Sequence, residues 1–205
     1  MFAADCHTRL MKDGAVDPKQ KAILKAAWNA FAAYGFRKTS MDDIARGASM
    51  SRPALYLHYR NKEDIFRSLA QFYYDDAVEE VRQALSRDAP VAEILADAFV
   101  KQGGSIKEAM LTSPHGLELI DTGNVIAADI AEDGEARLTE IYADWLQREA
   151  KVGRVTLTAP AQDMAAMFTT ALKGFKQVGE YEAFRSHVDH FAALSAAGLT
   201  ARSAC

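Results

Sequence analysis

The sequence predicts an all-α chain, a small N-terminal helical unit joined by a linking helix to a larger helical body. Three observations carry this. Apolar residues recur at three- and four-residue spacing through most of the 205 residues, and strand-like alternation is absent. Side chains suited to capping stand where those stripes begin. Charge is divided unevenly: residues 1–62 carry 11 Lys/Arg against 5 Asp/Glu, a net of +6, while residues 63–205 carry 13 against 23, a net of −10.

Residues 1–16 show no periodicity and are expected to form a loose arm. Asp17 then supplies an N-cap, and Pro18 suits a first helical position, where a missing N–H is no loss. Ile23, Ala27, Ala30, Phe31 and Tyr34 make the inward stripe of a first helix that Gly35 stops. Ser40, with Asp43 three residues on, marks a capping box for a helix over 41–47. Ser51 and Pro53 open another helix, expected to reach about residue 59. Helices this short need a neighbour, and Ile44 and Leu55 are placed to lock the pair together. Asn61 caps a longer helix from 62 to about 87, with Glu63 and Asp64 at its positive end. Beyond it the pattern predicts helices over 91–101, 105–111, 125–151, 163–179 and 181–197. A short helical piece is expected at 117–120, with breaks at 112–116 and 121–124 where Ser, Pro, Gly and Asn cluster. Gly134 is a weak point in the long helix. The expected organisation is therefore an arm over 1–16, a helical unit over 17–77 and a body over 78–205.

An apolar fraction of 49% supports a sizeable core. No run approaches the roughly 18 apolar residues of a membrane span, and no secretory leader is expected. Cys6 and Cys205 lie near opposite ends, so no structural disulfide is expected and a reducing cytoplasm is the natural compartment. There is no G-x-S-x-G elbow, P-loop, dinucleotide fingerprint or H-E-x-x-H, so neither catalysis nor a cofactor is expected. His187 and His190 flank Asp189 on one helix, but no third ligand stands at firm spacing, so they are expected to form a surface pair and not a metal site.

Residues 39–62 hold the two short helices and the turn between them, the pattern of a helix-turn-helix. A major groove admits one α-helix, whose first residues reach base edges while neighbouring elements hold phosphates. Arg52 is placed to bond guanine O6 and N7 together, and Tyr56, four residues on, to reach a phosphate. His58 and Lys62 are placed for backbone contact. Thr39 and Ser40 stand at the start of the preceding helix, whose free N–H groups suit a phosphate oxygen. The basic N-terminal third agrees with a polyanion met by one end of the molecule.

From about residue 19 to residue 69 the chain resembles the DNA-binding domain of the tetracycline-repressor (TetR) family. The matching positions are Ile23, Leu24, Ala26 and Ala27; Phe31, Gly35 and Phe36; Thr39, Ser40, Met41, Asp43, Ile44 and Ala45; Ser51 to Tyr56; and Tyr59, Asn61, Lys62, Glu63 and Asp64. The resemblance implies that Ser40, Arg52, Pro53, Ala54, Tyr56, Leu57, His58 and Lys62 line the DNA face. It further implies a homodimer on a palindromic operator, most often repressing, released by a small-molecule effector held in the C-terminal domain. Three positions depart from the family pattern: Ser49 for the usual turn glycine, Ala54 for a common Thr or Ser, and Leu57 where polar residues are frequent.

In the body, Phe99, Met110, His115, Tyr142, Trp145 and Phe168 are candidates to line an apolar effector pocket with a few polar groups, against the plainer alternative of core packing. The last two helices have broad apolar faces interrupted by Gly174, Gly179 and Gly198, which suit an isologous four-helix dimer interface. Tilting of the linking helix on effector binding would then move two recognition helices out of register with successive grooves. The competing reading is an all-α ligand carrier or enzyme with a vestigial helix-turn-helix, in which the basic side chains would have no function to serve.

Overall fold

The computed structural model describes residues 17–103, 110, 112–175 and 180–201. The arm, both cysteines, most of the helix expected over 105–111 and the end of the one expected to reach 179 lie outside the described residues. Among the described residues every regular element is a helix: α1 (Pro18–Tyr34), α2 (Met41–Gly47), α3 (Arg52–Tyr56), α4 (Lys62–Leu85), α5 (Val91–Gln102), α6 (Gly116–Ile126), α7 (Ala128–Lys151), α8 (Ala161–Phe175) and α9 (Tyr181–Thr200). None of them is long and apolar enough to cross a membrane. Two compact units divide the chain, one from Met1–Tyr73 with Ser105–Ala131, the other from Tyr74–Gly104 with Glu132–Cys205.

In the first unit the stripe of α1 is buried except at Tyr34, which is exposed at the end of the helix, with Ile23, Ala27 and Phe31 fully enclosed beside Ile44, Leu55 and Ile65. Phe31, Phe36 and Phe66 meet pairwise with ring centroids 5.3–5.8 Å apart, tilted contacts that suit aromatic quadrupoles. The last turn of α1 leaves carbonyls that need donors. Gly35 N–H donates to the Phe31 carbonyl at 2.9 Å, the Thr39 hydroxyl reaches Ala30 at 3.2 Å, and the Ser113 hydroxyl reaches Ala32 at 2.7 Å. Gly35 has φ +81°, a conformation that favours glycine, and a Cβ there would also displace the Glu118 carboxylate. Leu119 of α6 completes this core. Arg67 of α4 holds Asp129 in a two-pronged pair at 2.7 Å and the Ile126 carbonyl at 2.7 Å. Those Arg67 bonds lower the Asp129 carboxyl to about 2, so the pair is fully ionised at neutral pH.

The structure corrects two boundaries in this unit. α3 ends at Tyr56, short of residue 59, because Tyr59 turns into the core, where its hydroxyl accepts from Gln20 Nε2 at 3.1 Å. The break expected at 121–124 is absent. α6 runs through it and the chain bends instead at Ala127, since Gly123 packs on the Phe66 ring and the Thr122 hydroxyl bonds back to the Glu118 carbonyl at 2.7 Å. Tertiary packing here outweighs the local preference of Gly and Asn for a turn.

The second unit is built on the C-terminal part of α4 with α5, α8, α9 and most of α7. Its centre is aromatic: Phe99 lies 5.7 Å from Tyr142, 5.2 Å from Phe168 and 5.3 Å from Phe191 between ring centroids. Thr139 and Thr169 bond hydroxyl to hydroxyl at 3.0 Å across α7 and α8. Arg154 fastens the α4–α5 loop, donating to the Ala89 carbonyl while its Nε lies 3.1 Å from Glu149. Gly134, expected as a weak point, is a close-approach site within α7, buried against the Tyr74 ring.

Replacing a helical glycine by alanine ordinarily stabilises by up to about 1 kcal/mol. At position 134 the added methyl would overlap Tyr74. Gly134→Ala is therefore expected to lower stability by about 1–3 kcal/mol in urea unfolding; a gain would show that Tyr74 moves aside freely.

Candidate nucleic-acid interface

The helix-turn-helix is assembled by local caps. The Ser40 hydroxyl accepts the Asp43 N–H at 3.2 Å, and Asp43 Oδ2 accepts the Ser40 N–H at 3.0 Å and its hydroxyl at 2.6 Å. Those bonds from Ser40 hold the Asp43 carboxyl below its usual range. Ser51 caps α3 by accepting the Ala54 N–H at 3.3 Å, and Asn61 caps α4 by accepting the Asp64 N–H at 2.8 Å. Between α2 and α3 the chain passes through Ser49 at φ +55°. This is a left-handed conformation that a glycine would adopt without strain, so the serine costs on the order of 1 kcal/mol. Leu55 is completely buried beneath α3 and fixes its rotation against Ile44.

That anchoring leaves Arg52, Pro53, Tyr56, Leu57 and His58 exposed, with Ala54 half-buried. Arg52 Nη2 donates to the Tyr56 hydroxyl at 3.4 Å, and its guanidinium carbon lies 5.6 Å from the centre of the Tyr56 ring. The two side chains, one turn apart, form a unit with a planar cationic fork at its edge.

Three expectations change. The Thr39 hydroxyl faces inward and is shared by the Gly35 and Ala30 carbonyls, at 2.7 and 3.2 Å, and the residue is only 2% exposed. It closes the end of α1 and is not available to a phosphate. Ser40 is exposed, but its hydroxyl and N–H are already engaged by Asp43, and Asp42 and Asp43 occupy the first turn of α2. The Ser40 donors are therefore engaged, and two carboxylates would stand beside an anion at the start of α2. Lys62 Nζ donates to the carbonyls of Phe36 at 2.7 Å, Arg37 at 3.1 Å and Thr39 at 3.0 Å, and it stands 4.5 Å above the Phe36 ring. An ammonium has three N–H donors, and all three point inward. Lys62 pins the α1–α2 loop.

Spacing along the chain gave no sign of Glu118. Its carboxylate accepts the Arg37 N–H at 3.1 Å from 81 residues away and lies 3.3 Å from His115 Nδ1. No local signal announces a contact of that range.

The six effector candidates do not share one unit. Met110 packs against the core of the first unit, and His115 stands at the N-cap of α6 in the same unit. Phe99, Tyr142, Trp145 and Phe168 lie in the second, all deeply buried. Burial pushes the Tyr142 hydroxyl well above its ordinary range, so it stays a neutral donor. Tyr142 Oη and Trp145 Nε1, three residues apart on α7, are enclosed with no hydrogen-bond partner among the described residues. His187 and His190 are exposed on α9, the former with its ring 5.5 Å from that of Phe175.

Lys62→Met should cost about 1.5–3 kcal/mol, the range for bonds to a charged donor, and leave the salt dependence of any duplex binding unchanged. A salt slope reduced by about one would instead place this ammonium on a phosphate.

Residues 23–69 match the family model for bacterial regulatory proteins of the tetR family. The chain is 36% identical over 69 residues to the transcriptional activator FasR of Mycolicibacterium smegmatis, covering 34% of this chain and 32% of FasR. It is 30% identical over 96 residues to the transcriptional repressor ComR of Escherichia coli, covering 45% and 46%. The match thus spans less than half the length of either relative. A transcriptional regulator from Cytophaga hutchinsonii has the same fold, with a TM-score of 0.75 over 90% of this chain and all of the other at 20% identity. Residues 23–69, which hold most of the helix-turn-helix unit described above, are thus similar to bacterial regulatory proteins of the tetR family.

Proposed function

We propose that the chain regulates transcription as a homodimer on a palindromic operator, with α3 in the major groove, and that a small-molecule effector releases it. The observation that carries this reading is the exposed Arg52–Tyr56 pair on a helix whose rotation is fixed by a fully buried Leu55. A guanidinium so displayed suits guanine O6 and N7. Pro53, Leu57 and His58 are exposed beside the pair and Ala54 is half-buried; Ser40 is retained at its rim, whereas Thr39 and Lys62 act by positioning. The relatives include both an activator and a repressor. Release by an effector fits a repressor, the sense proposed here, acting in the cytoplasm.

For dimerisation, Met167 of α8 and Leu194 of α9 are largely exposed, and small residues Ala166, Gly174, Ala193 and Ala197 are exposed on the same two helices. Such faces suit close helix packing against a second copy.

For the effector, the second unit offers an aromatic surround with two unpartnered donors, Tyr142 Oη and Trp145 Nε1. An unsatisfied buried donor costs about 1–3 kcal/mol, a cost that an acceptor on a bound molecule would relieve. A carbonyl or carboxylate on an apolar body fits this pair.

Selection of bound sequences from random duplexes by the purified full-length chain is expected to return a palindrome containing guanine. Arg52→Ala should weaken binding to it by about 1–3 kcal/mol and relax preference at that guanine. Recovery of no preferred sequence would overturn the regulator reading in favour of a carrier or enzyme. Tyr142→Phe should leave the free protein equally or more stable, because it removes an unpaired buried hydroxyl. It should also raise the effector concentration needed for release about three- to tenfold, the worth of one hydrogen bond. Loss of stability with unchanged release would assign that hydroxyl to the core alone.

A further inference from the structure

The C-cap Leu57 keeps a helical backbone, so at about 100° per residue it lies about 200° round the axis of α3 from the buried Leu55, and Pro53 about 160°. These two side chains therefore form the crest of the helix, the line farthest from the core. Tyr56 falls on one flank, with Arg52 lower on the same side, and Ala54 falls on the other. Leu57 is 86% exposed, the most exposed large apolar side chain among the described residues. Apolar surface displayed this openly on a recognition helix forgoes the stabilisation that burial would bring. The exposed cationic residues Arg37, Lys38, Arg52 and Arg60 belong to the same helix-turn-helix and its flanking loops, which matches the charge of a duplex and opposes a cationic partner.

Neither Pro53 nor Leu57 carries a side-chain donor or acceptor, so the crest cannot read a base edge by hydrogen bonding. In the major groove one unmodified base presents an apolar feature, the C5 methyl of thymine. We propose that Leu57 is a specificity-determining residue that selects thymine at the centre of each half-site. Its side chain, with Pro53 beside it, packs on the C5 methyl groups, while Arg52 sets a flanking guanine. This rests on the reading that α3 enters a major groove, and deepens it by naming what the groove must contain. The half-site so described is a guanine beside one or two thymines, recognised by shape and burial more than by hydrogen bonds.

Deoxyuridine differs from thymidine only by that methyl, so single replacements in the selected operator isolate the contact. At one or two thymines per half-site the full-length wild-type chain is expected to lose about three- to fivefold in affinity, the worth of one buried methyl. The same replacements should be silent with Leu57→Ala, which removes an exposed side chain and leaves the core intact, and should still register with Arg52→Ala. Leu57→Gln should shift the selected base away from thymine at that position. A selected operator in which deoxyuridine is silent throughout, or in which Leu57→Ala remains as sensitive as wild type, overturns the inference while leaving DNA recognition standing. Failure to select any operator strikes the underlying reading instead.

Discussion

The Lys62 ammonium, held by three backbone carbonyls, is the interaction on which the first unit depends. Phe36, Arg37 and Thr39 belong to the loop that leaves α1 and enters α2, and Lys62 opens α4. One side chain therefore joins the end of the first helix, the start of the second and the start of the fourth. Its charge lies over the Phe36 ring, so the group is shielded on one side by a favourable quadrupole. Carbonyls bunched at a helix exit repel one another unless a donor is supplied. A lysine supplies three donors at a point, where the planar fork of an arginine would not. The Thr39 hydroxyl completes the same closure from below.

Once that loop is held, α2 and α3 need little of their own. Seven and five residues respectively, they are too short to persist in water and take their stability from Ile44 and Leu55 in the common core. The strained Ser49 can be tolerated because the contacts on either side determine the turn. Glu118 and Ser113 act from 81 residues along the chain, tying the loop and the end of α1 to the segment around α6. The helix-turn-helix is thus supported from two sides within one compact unit.

What was legible in the sequence was what local chemistry decides. Asp17, Ser40, Ser51 and Asn61 each cap the helix they were expected to cap, because a cap bonds two or three residues away. The stripe of α1 is buried as its spacing required, except at Tyr34. Illegible were the roles that depend on distant partners. Thr39 and Lys62 look like phosphate ligands from residue type and position, yet both donate inward to carbonyls. Nothing in the spacing of Met110 and His115 separated them from Phe99 and Tyr142, but they belong to different units. The continuous α6 defeats its own Gly-Asn pair because it packs on α4, a fact of three dimensions.

The division between inward and outward roles has a consequence for how such a surface can change. The residues that hold the first unit together (Leu55, Ile44, Thr39, Lys62, Phe36) contribute no side chain to the crest of α3. Pro53, Ala54 and Leu57 contribute little to the core. Leu55 sets the rotation of the helix and therefore which residues stand at its crest, but their chemistry is left free. The three departures from the family pattern fall in this freedom: Ser49 in the turn, and Ala54 and Leu57 on the exposed side. A change from polar to apolar at the crest alters what the helix can recognise without altering how it is held. Preference for one operator over another is then adjustable one side chain at a time on a scaffold whose stability is determined elsewhere.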